Sequence, residues 1–113
     1  MLIINNYTKF LQSSIMIKRL FTTGLIEYIE IQLVPSVIII FGSIRKGEYV
    51  KESDIDLFAE TIKNIDLDLS RFEKKIGHKI HLFTKQDVND LPKELFNNVI
   101  NGIKISGYLK LKK

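Results

Sequence analysis

The first third of the chain has the apolar spacing of an amphipathic helix. Apolar residues recur every three to four positions from Tyr7 to Leu33 and form one stripe. Thr22, Thr23 and Gly24 interrupt this stripe, since hydroxyl side chains compete for backbone hydrogen bonds and glycine weakens a helix. Pro35 ends the pattern, because the residue before a proline is disfavoured in the α region. We therefore expect a helical segment over residues 1–34, divided near Gly24.

Three later segments have the patterns of β-strands. Residues 37–41 (VIIIF) are β-formers without polar alternation, which is typical of a central strand covered on both faces. Residues 54–60 alternate, with Asp54, Asp56 and Phe58 on one face and apolar residues on the other. Residues 78–83 alternate in the same way, with Ile80 and Leu82 inward and Lys79, His81 and Phe83 on the opposite, polar face.

Helices are expected between and after these strands. The first starts at Asn64 or Asp66 and runs through Lys75, and the second occupies residues 92–101. Residues 103–111 complete the chain as an edge strand. The predicted fold is α/β (α+β): a single domain with a helical segment (1–34) and a core (35–113) whose small mixed sheet of three to four strands is flanked by helices.

Composition narrows the functional classes. The chain has 113 residues, 45% of them apolar, and no cysteine, which excludes disulfides and thiolate metal sites. No apolar run is long enough to cross a membrane and no export signal is present, so we expect a cytoplasmic protein. The net charge of +4 fits a solvated basic surface. Nucleic-acid binding stays open, although no recognition-helix or stacking-aromatic motif indicates it.

The segment from Gly42 to Asp56 combines two features that suit phosphate chemistry. Gly42 and Ser43 follow the buried strand and open a turn into a predicted helix, whose backbone N–H groups can cradle a phosphate. Asp54 and Asp56 lie two positions apart in a strand, so they point to the same side and suit one shared cation. Carboxylate oxygens favour hard cations, and the pair therefore predicts Mg²⁺ (or Mn²⁺) and phosphoryl or nucleotidyl transfer.

These residues resemble a known family. FGSIRKGEYVKESDIDLF, which is Gly-Ser, ten residues and Asp-x-Asp, is similar to the signature of the minimal nucleotidyltransferases of the polymerase-β superfamily. The resemblance covers roughly residues 34–85 and implies a polymerase-β-type core. It implies that Gly42 and Ser43 bind the triphosphate and that Asp54 and Asp56 bind the metal. Arg45 and Lys46 fall in the variable turn of the motif, where a basic side chain can assist the phosphates.

The sequence departs from the family at one position. The resemblance implies a third carboxylate on the next strand, and the aligned residue here is His81. His81 can be a general base or an unusual metal ligand. It can also mark a protein that binds nucleotide without turnover, or be an ordinary surface histidine. Substitute acids at Asp66, Asp68 and Asp87 are better explained by capping and by their position outside the strand.

Two functions follow from the resemblance. The first is an enzyme that transfers a nucleoside monophosphate from a nucleoside triphosphate, ATP being the expected one, to a hydroxyl acceptor. The alternative is a catalytically weak or inactive nucleotide-binding antitoxin that pairs with a helical HEPN-type toxin, with spare apolar residues of the N-terminal helices as the interface. A homo-oligomer is left open, since a small core benefits from added burial.

Overall fold

The structure is a computed structural model that describes residues 6–42, 54–109 and 111. Two helices come first, α1 (Asn6–Thr22) and α2 (Leu25–Leu33), followed by strand β1 (Val37–Phe41). Strand β2 (Ile55–Glu60) leads to helix α3 (Ser70–Ile76) and strand β3 (Ile80–Lys85). A 3₁₀ turn (Val88–Asp90), helix α4 (Lys93–Ile100) and strand β4 (Ile103–Gly107) complete the order. No helix among these residues has the length and apolar character that a membrane span requires.

The strands form one mixed sheet in the order β3-β2-β1-β4. β1 is antiparallel to both β2 and β4, whereas β2 and β3 are parallel. The prediction of an α+β fold with a small mixed sheet flanked by helices is confirmed. β4 is an edge strand as expected, but it ends at Gly107 rather than at residue 111.

Apolar layers cover both faces of the sheet. On one face, α1, α2 and α3 pack against alternate residues of the strands, including Ile38, Leu57 and Ile80. On the other face, the 3₁₀ turn and α4 pack with Val88 and Val99 against residues that include Phe58. All five residues of β1 are buried, which explains why its sequence lacks polar alternation.

The helical segment breaks where the sequence predicted. α1 ends at Thr22, and Gly24 adopts a left-handed conformation (φ 86°) before α2. α2 ends at Leu33, next to Val34 and Pro35. Val34 escapes the α region by adopting a left-handed conformation (φ 45°), in which its N–H donates to the carbonyl of Glu30.

The helix predicted from residue 64 or 66 is much shorter in the structure. α3 begins only at Ser70, and residues 61–69 are irregular. Leu67 and Leu69 reach the core while Asp66 and Asp68 are exposed, an alternation that suits an extended chain rather than a helix. The carboxylate of Asp68 accepts a hydrogen bond from the Ser70 N–H (3.0 Å), and this bond competes with an earlier helix start.

Candidate active site

The carboxylate residues meet at one end of the sheet, on the face that α4 covers. Phe41 of β1 lies opposite Asp56 of β2, and Asp56 lies opposite His81 of β3, so the three residues form one row across three strands. Asp54 directly precedes β2 and is two positions from Asp56. The parallel pairing of β2 and β3 therefore brings together side chains that are 27 positions apart in the sequence.

Asp54 and His81 are in direct contact. The His81 Nε2 atom lies 2.7 Å from Oδ2 of Asp54, a hydrogen bond that becomes an ion pair when the imidazole is protonated. The side chains of His81 and Asp54 are 41% and 46% exposed, so water screens the pair and its contribution to folding stability is small. Its main effect is geometric, because the contact holds the Asp54 carboxylate beside β3.

Asp56 is the more buried carboxylate. Burial raises the pKa of Asp56 above its ordinary value, the charge of His81 opposes this rise, and the nearby carboxylate of Asp54 adds to it. Burial and the negative charge of Asp54 both disfavour the ionised form of Asp56. A cation beside the two carboxylates would relieve both effects, and the pair thus has the electrostatics of a cation site.

Gly42 directly follows β1 and lies against the Asp56 carboxylate. Its φ is +79°, and a Cβ atom built at this position would lie 2.5 Å from Oδ2 of Asp56. A side chain is therefore excluded both by the backbone conformation and by the carboxylate. Ser43, Arg45 and Lys46, the other predicted phosphate-binding residues, lie outside the described residues.

The carboxylates of this site fit a magnesium ion whose remaining ligands come from water and a substrate. Within residues 6–42, 54–109 and 111, no three His, Asp or Glu side chains are grouped so as to hold a metal ion. Mg²⁺ seldom needs such a group, because it is held by one or two carboxylates together with water and substrate phosphates. Asp54 and Asp56 supply the two carboxylates, and Gly42 brings the backbone of the following turn next to Asp56.

The three acids that could replace the missing carboxylate lie elsewhere. Asp68 accepts hydrogen bonds from Ser70, which lower its pKa. Asp87 caps the 3₁₀ turn by accepting from the Asn89 N–H, and Asp66 is exposed on the irregular segment. All three lie on the irregular segment or at the 3₁₀ turn, and none lies in the row of Asp56 and His81.

A cavity of about 920 Å³ lies at the other end of the sheet and does not include the carboxylate row. Its lining contains Glu60, Asp87 and Asp90, whose negative charges disfavour a triphosphate. The carboxylate row, with its glycine turn, is the better candidate for nucleotide chemistry, although Asp54 and His81 lie at the surface.

One feature beside the row was not predicted. The rings of Phe41 and Phe83 are 5.8 Å apart, centre to centre, and tilted by 47°. Strand alternation had placed Phe83 on the polar face with His81, and an aromatic residue on a polar face was the signal available in the sequence. Its approach to Phe41 depends on the strand order and could not be read from the pattern.

A mixed sheet with a glycine turn set against an Asp-x-Asp strand defines a nucleotidyltransferase-type domain. Comparison with known families agrees, because the model of the family "Polymerase beta, Nucleotidyltransferase" matches residues 24–109, well over half of the chain. The chain belongs to this family. No curated protein matches its sequence.

Proposed function

We propose that this domain binds a Mg²⁺–nucleoside triphosphate, with ATP as the expected nucleotide, and transfers the nucleoside monophosphate to a hydroxyl acceptor. The observation that carries the proposal is the contact between the Gly42 turn and the Asp56 carboxylate. It sets the backbone that leads into the predicted phosphate-binding turn beside two carboxylates suited to a cation. Membership of a nucleotidyltransferase family supports the same reaction class.

Each predicted site residue has a role in this proposal. Asp54 and Asp56 would hold Mg²⁺ (or Mn²⁺), which when bound offsets the negative charge of the phosphates. Gly42, together with Ser43, would bind the phosphates through backbone N–H groups and a hydroxyl. Arg45 and Lys46 would add positive charge on the same turn.

His81 acts first through Asp54. Its 2.7 Å contact fixes one oxygen of that carboxylate, and we assign it the part of a positioning residue. Its predicted role as a base for the acceptor hydroxyl stays a prediction. A histidine at the position of the third carboxylate would leave the metal with fewer negative ligands than a three-carboxylate site provides.

That shortage favours a second candidate function, a nucleotide-binding antitoxin with weak or no turnover. Two observations support it. His81 already contacts one of the two metal-binding carboxylates. In addition, α1 exposes Leu11, Ile15 and Phe21 to solvent, which would suit an apolar interface with a helical HEPN-type toxin.

Calorimetric titration of Mg²⁺–ATP tests the shared part of both proposals. We expect metal-dependent binding to the wild type and its loss in the variant Asp54→Asn/Asp56→Asn. The matched control is Asp66→Asn/Asp90→Asn, which removes two exposed acids outside the row and should bind as the wild type does. Binding that needs no metal, or that survives the loss of both aspartates, would refute the site.

Incubation with labelled nucleotide then separates the two functions. Transfer of label to an acceptor, dependent on Asp54 and Asp56, identifies the enzyme. Tight binding without transfer in the presence of a HEPN-type partner identifies the regulatory module.

A further inference from the structure

An aromatic pair stands beside the carboxylates on the same face of the sheet. Phe41 and Phe83 belong to β1 and β3, which flank β2 on opposite sides. Phe41 lies in the row of Asp56, and Phe83 lies one row further, opposite Phe58. Because their strands are separated by β2, rings only 5.8 Å apart must lean towards each other over β2, on the face that carries Asp56.

The two members of this pair differ in exposure. Phe41 is 5% exposed and belongs to the core beneath α4, together with the fully buried Phe58. Phe83 is 38% exposed, and its strand is at the edge of the described sheet. Phe41 thus supports the Phe83 ring from the core side, while part of that ring faces solvent.

The site consequently has two chemically different halves. One half consists of Gly42, Asp54, Asp56 and His81 and suits a metal with phosphates. The other half is the solvent-facing ring of Phe83, which follows His81 by two positions on the same face. Two residues of a strand span about 6.6 Å, a length comparable to the distance from the α-phosphate of a nucleotide to its base.

We infer that Phe83 is the platform on which the nucleobase of the bound nucleoside triphosphate stacks. This inference rests on the proposed function and names the part of the substrate that the second half of the site recognises. Bases of every kind have a flat π-face, so stacking on Phe83 favours a nucleotide over a bare polyphosphate without selecting one base strongly. The tilted contact with Phe41 limits the motion of the Phe83 ring.

The test compares Mg²⁺–ATP with Mg²⁺–tripolyphosphate, which has the phosphates but no base, by calorimetry. Phe83→Leu keeps an apolar contact with Phe41 and removes the flat ring, Phe83→Trp keeps a ring, and Phe21→Ala removes an exposed ring on α1 as a control. We expect Phe83→Leu to weaken ATP binding about 5- to 150-fold, as loss of one base–aromatic stack predicts. Tripolyphosphate binding should be unchanged in this variant, and the Phe83→Trp and Phe21→Ala variants should bind ATP as the wild type does.

The outcomes separate this inference from the proposed function. If Phe83→Leu binds both ligands as the wild type does, or weakens both equally, the stacking role is wrong while the phosphate and metal site stands. If the wild type binds neither ligand in the presence of Mg²⁺, the proposed function fails, and the stacking role fails with it. Urea unfolding of each variant shows whether a change in binding has a cause in folding.

Discussion

Substitution of Gly42 by alanine tests the closest contact in the candidate site. At φ +79°, alanine costs roughly 1–2 kcal/mol of folding stability, because its Cβ crowds the backbone in the left-handed region. The new Cβ would also lie 2.5 Å from Oδ2 of Asp56, well inside the van der Waals separation of carbon and oxygen. Asp56 must therefore rotate away, and the substitution should damage the carboxylate site as well as the fold.

Gly77 provides the matched control for this experiment. It caps α3 with nearly the same backbone conformation, φ +81°, and a Cβ built there meets nothing within 4 Å. Gly77→Ala should therefore have the conformational cost of Gly42→Ala without the contact. We expect each variant to lose roughly 1–2 kcal/mol, or about 4–8 °C in Tm, with a larger loss for Gly42→Ala.

Binding measurements distinguish the two glycine variants more sharply than stability does. Calorimetry at a temperature where both variants are folded should show Mg²⁺–ATP binding lost in Gly42→Ala and retained in Gly77→Ala. Wild-type affinity in Gly42→Ala would refute the proposed contact between the turn and the cation site. Equal loss of binding in both variants would show that the effect comes from general destabilisation.

Three further substitutions follow from single contacts. His81→Asp supplies the third carboxylate and removes the partner of Asp54. Without metal the variant should therefore be less stable than the wild type, and Mg²⁺ should raise its Tm by more. An equal rise in Tm in a melting series with Mg²⁺ would contradict this. Val34→Asn should raise stability by about 0.5–1 kcal/mol, because asparagine tolerates the left-handed conformation that a β-branched residue adopts at strain; urea unfolding measures it, and a loss of stability would be the contrary result. Arg19→Met should lower the free energy of unfolding by about 1–2 kcal/mol in the same assay, because the guanidinium donates to the carbonyls of Lys75 (3.2 Å) and Ile76 (2.7 Å) at the end of α3. An unchanged unfolding midpoint would show that water replaces these two hydrogen bonds at no cost.

The sequence predicts best those elements whose own residue pattern indicates how they are buried. Five consecutive β-formers at Val37–Phe41 predicted a strand with two covered faces, and helices do cover both. The break at Gly24 was also correct. The start of α3 was wrong because two local preferences compete in residues 64–69. Acidic residues there suit a helix N-terminus, but Leu67 and Leu69 are needed by the core at a strand-like spacing, and the core contacts prevail.

The contacts of the site depend on strand pairing, which no local pattern gives. The spacing of Asp54 and Asp56 predicted that both point to one side, and alternation predicted that His81 lies on a polar face. The 2.7 Å contact between Asp54 and His81 also requires that β3 be the parallel neighbour of β2. The approach of Gly42 to Asp56 requires that Phe41 pair with Asp56 and not with a residue one position away.

The apolar residues of β2 are what fix that pairing. Ile55, Leu57 and Ala59 are fully buried beneath the helices, and they alternate with Asp56 and Phe58 on the opposite face. A slip of one residue between β1 and β2 would turn Asp56 into the apolar layer beneath α1–α3, where an unpaired carboxylate is costly, and would remove Ile55, Leu57 and Ala59 from their core contacts. The core therefore determines the pairing of Phe41 with Asp56, and with it the distance from the glycine turn to the carboxylate. Because one alternating strand specifies both the core and the site, substitutions that weaken its apolar face should weaken metal-dependent nucleotide binding even though they touch neither ligand nor carboxylate.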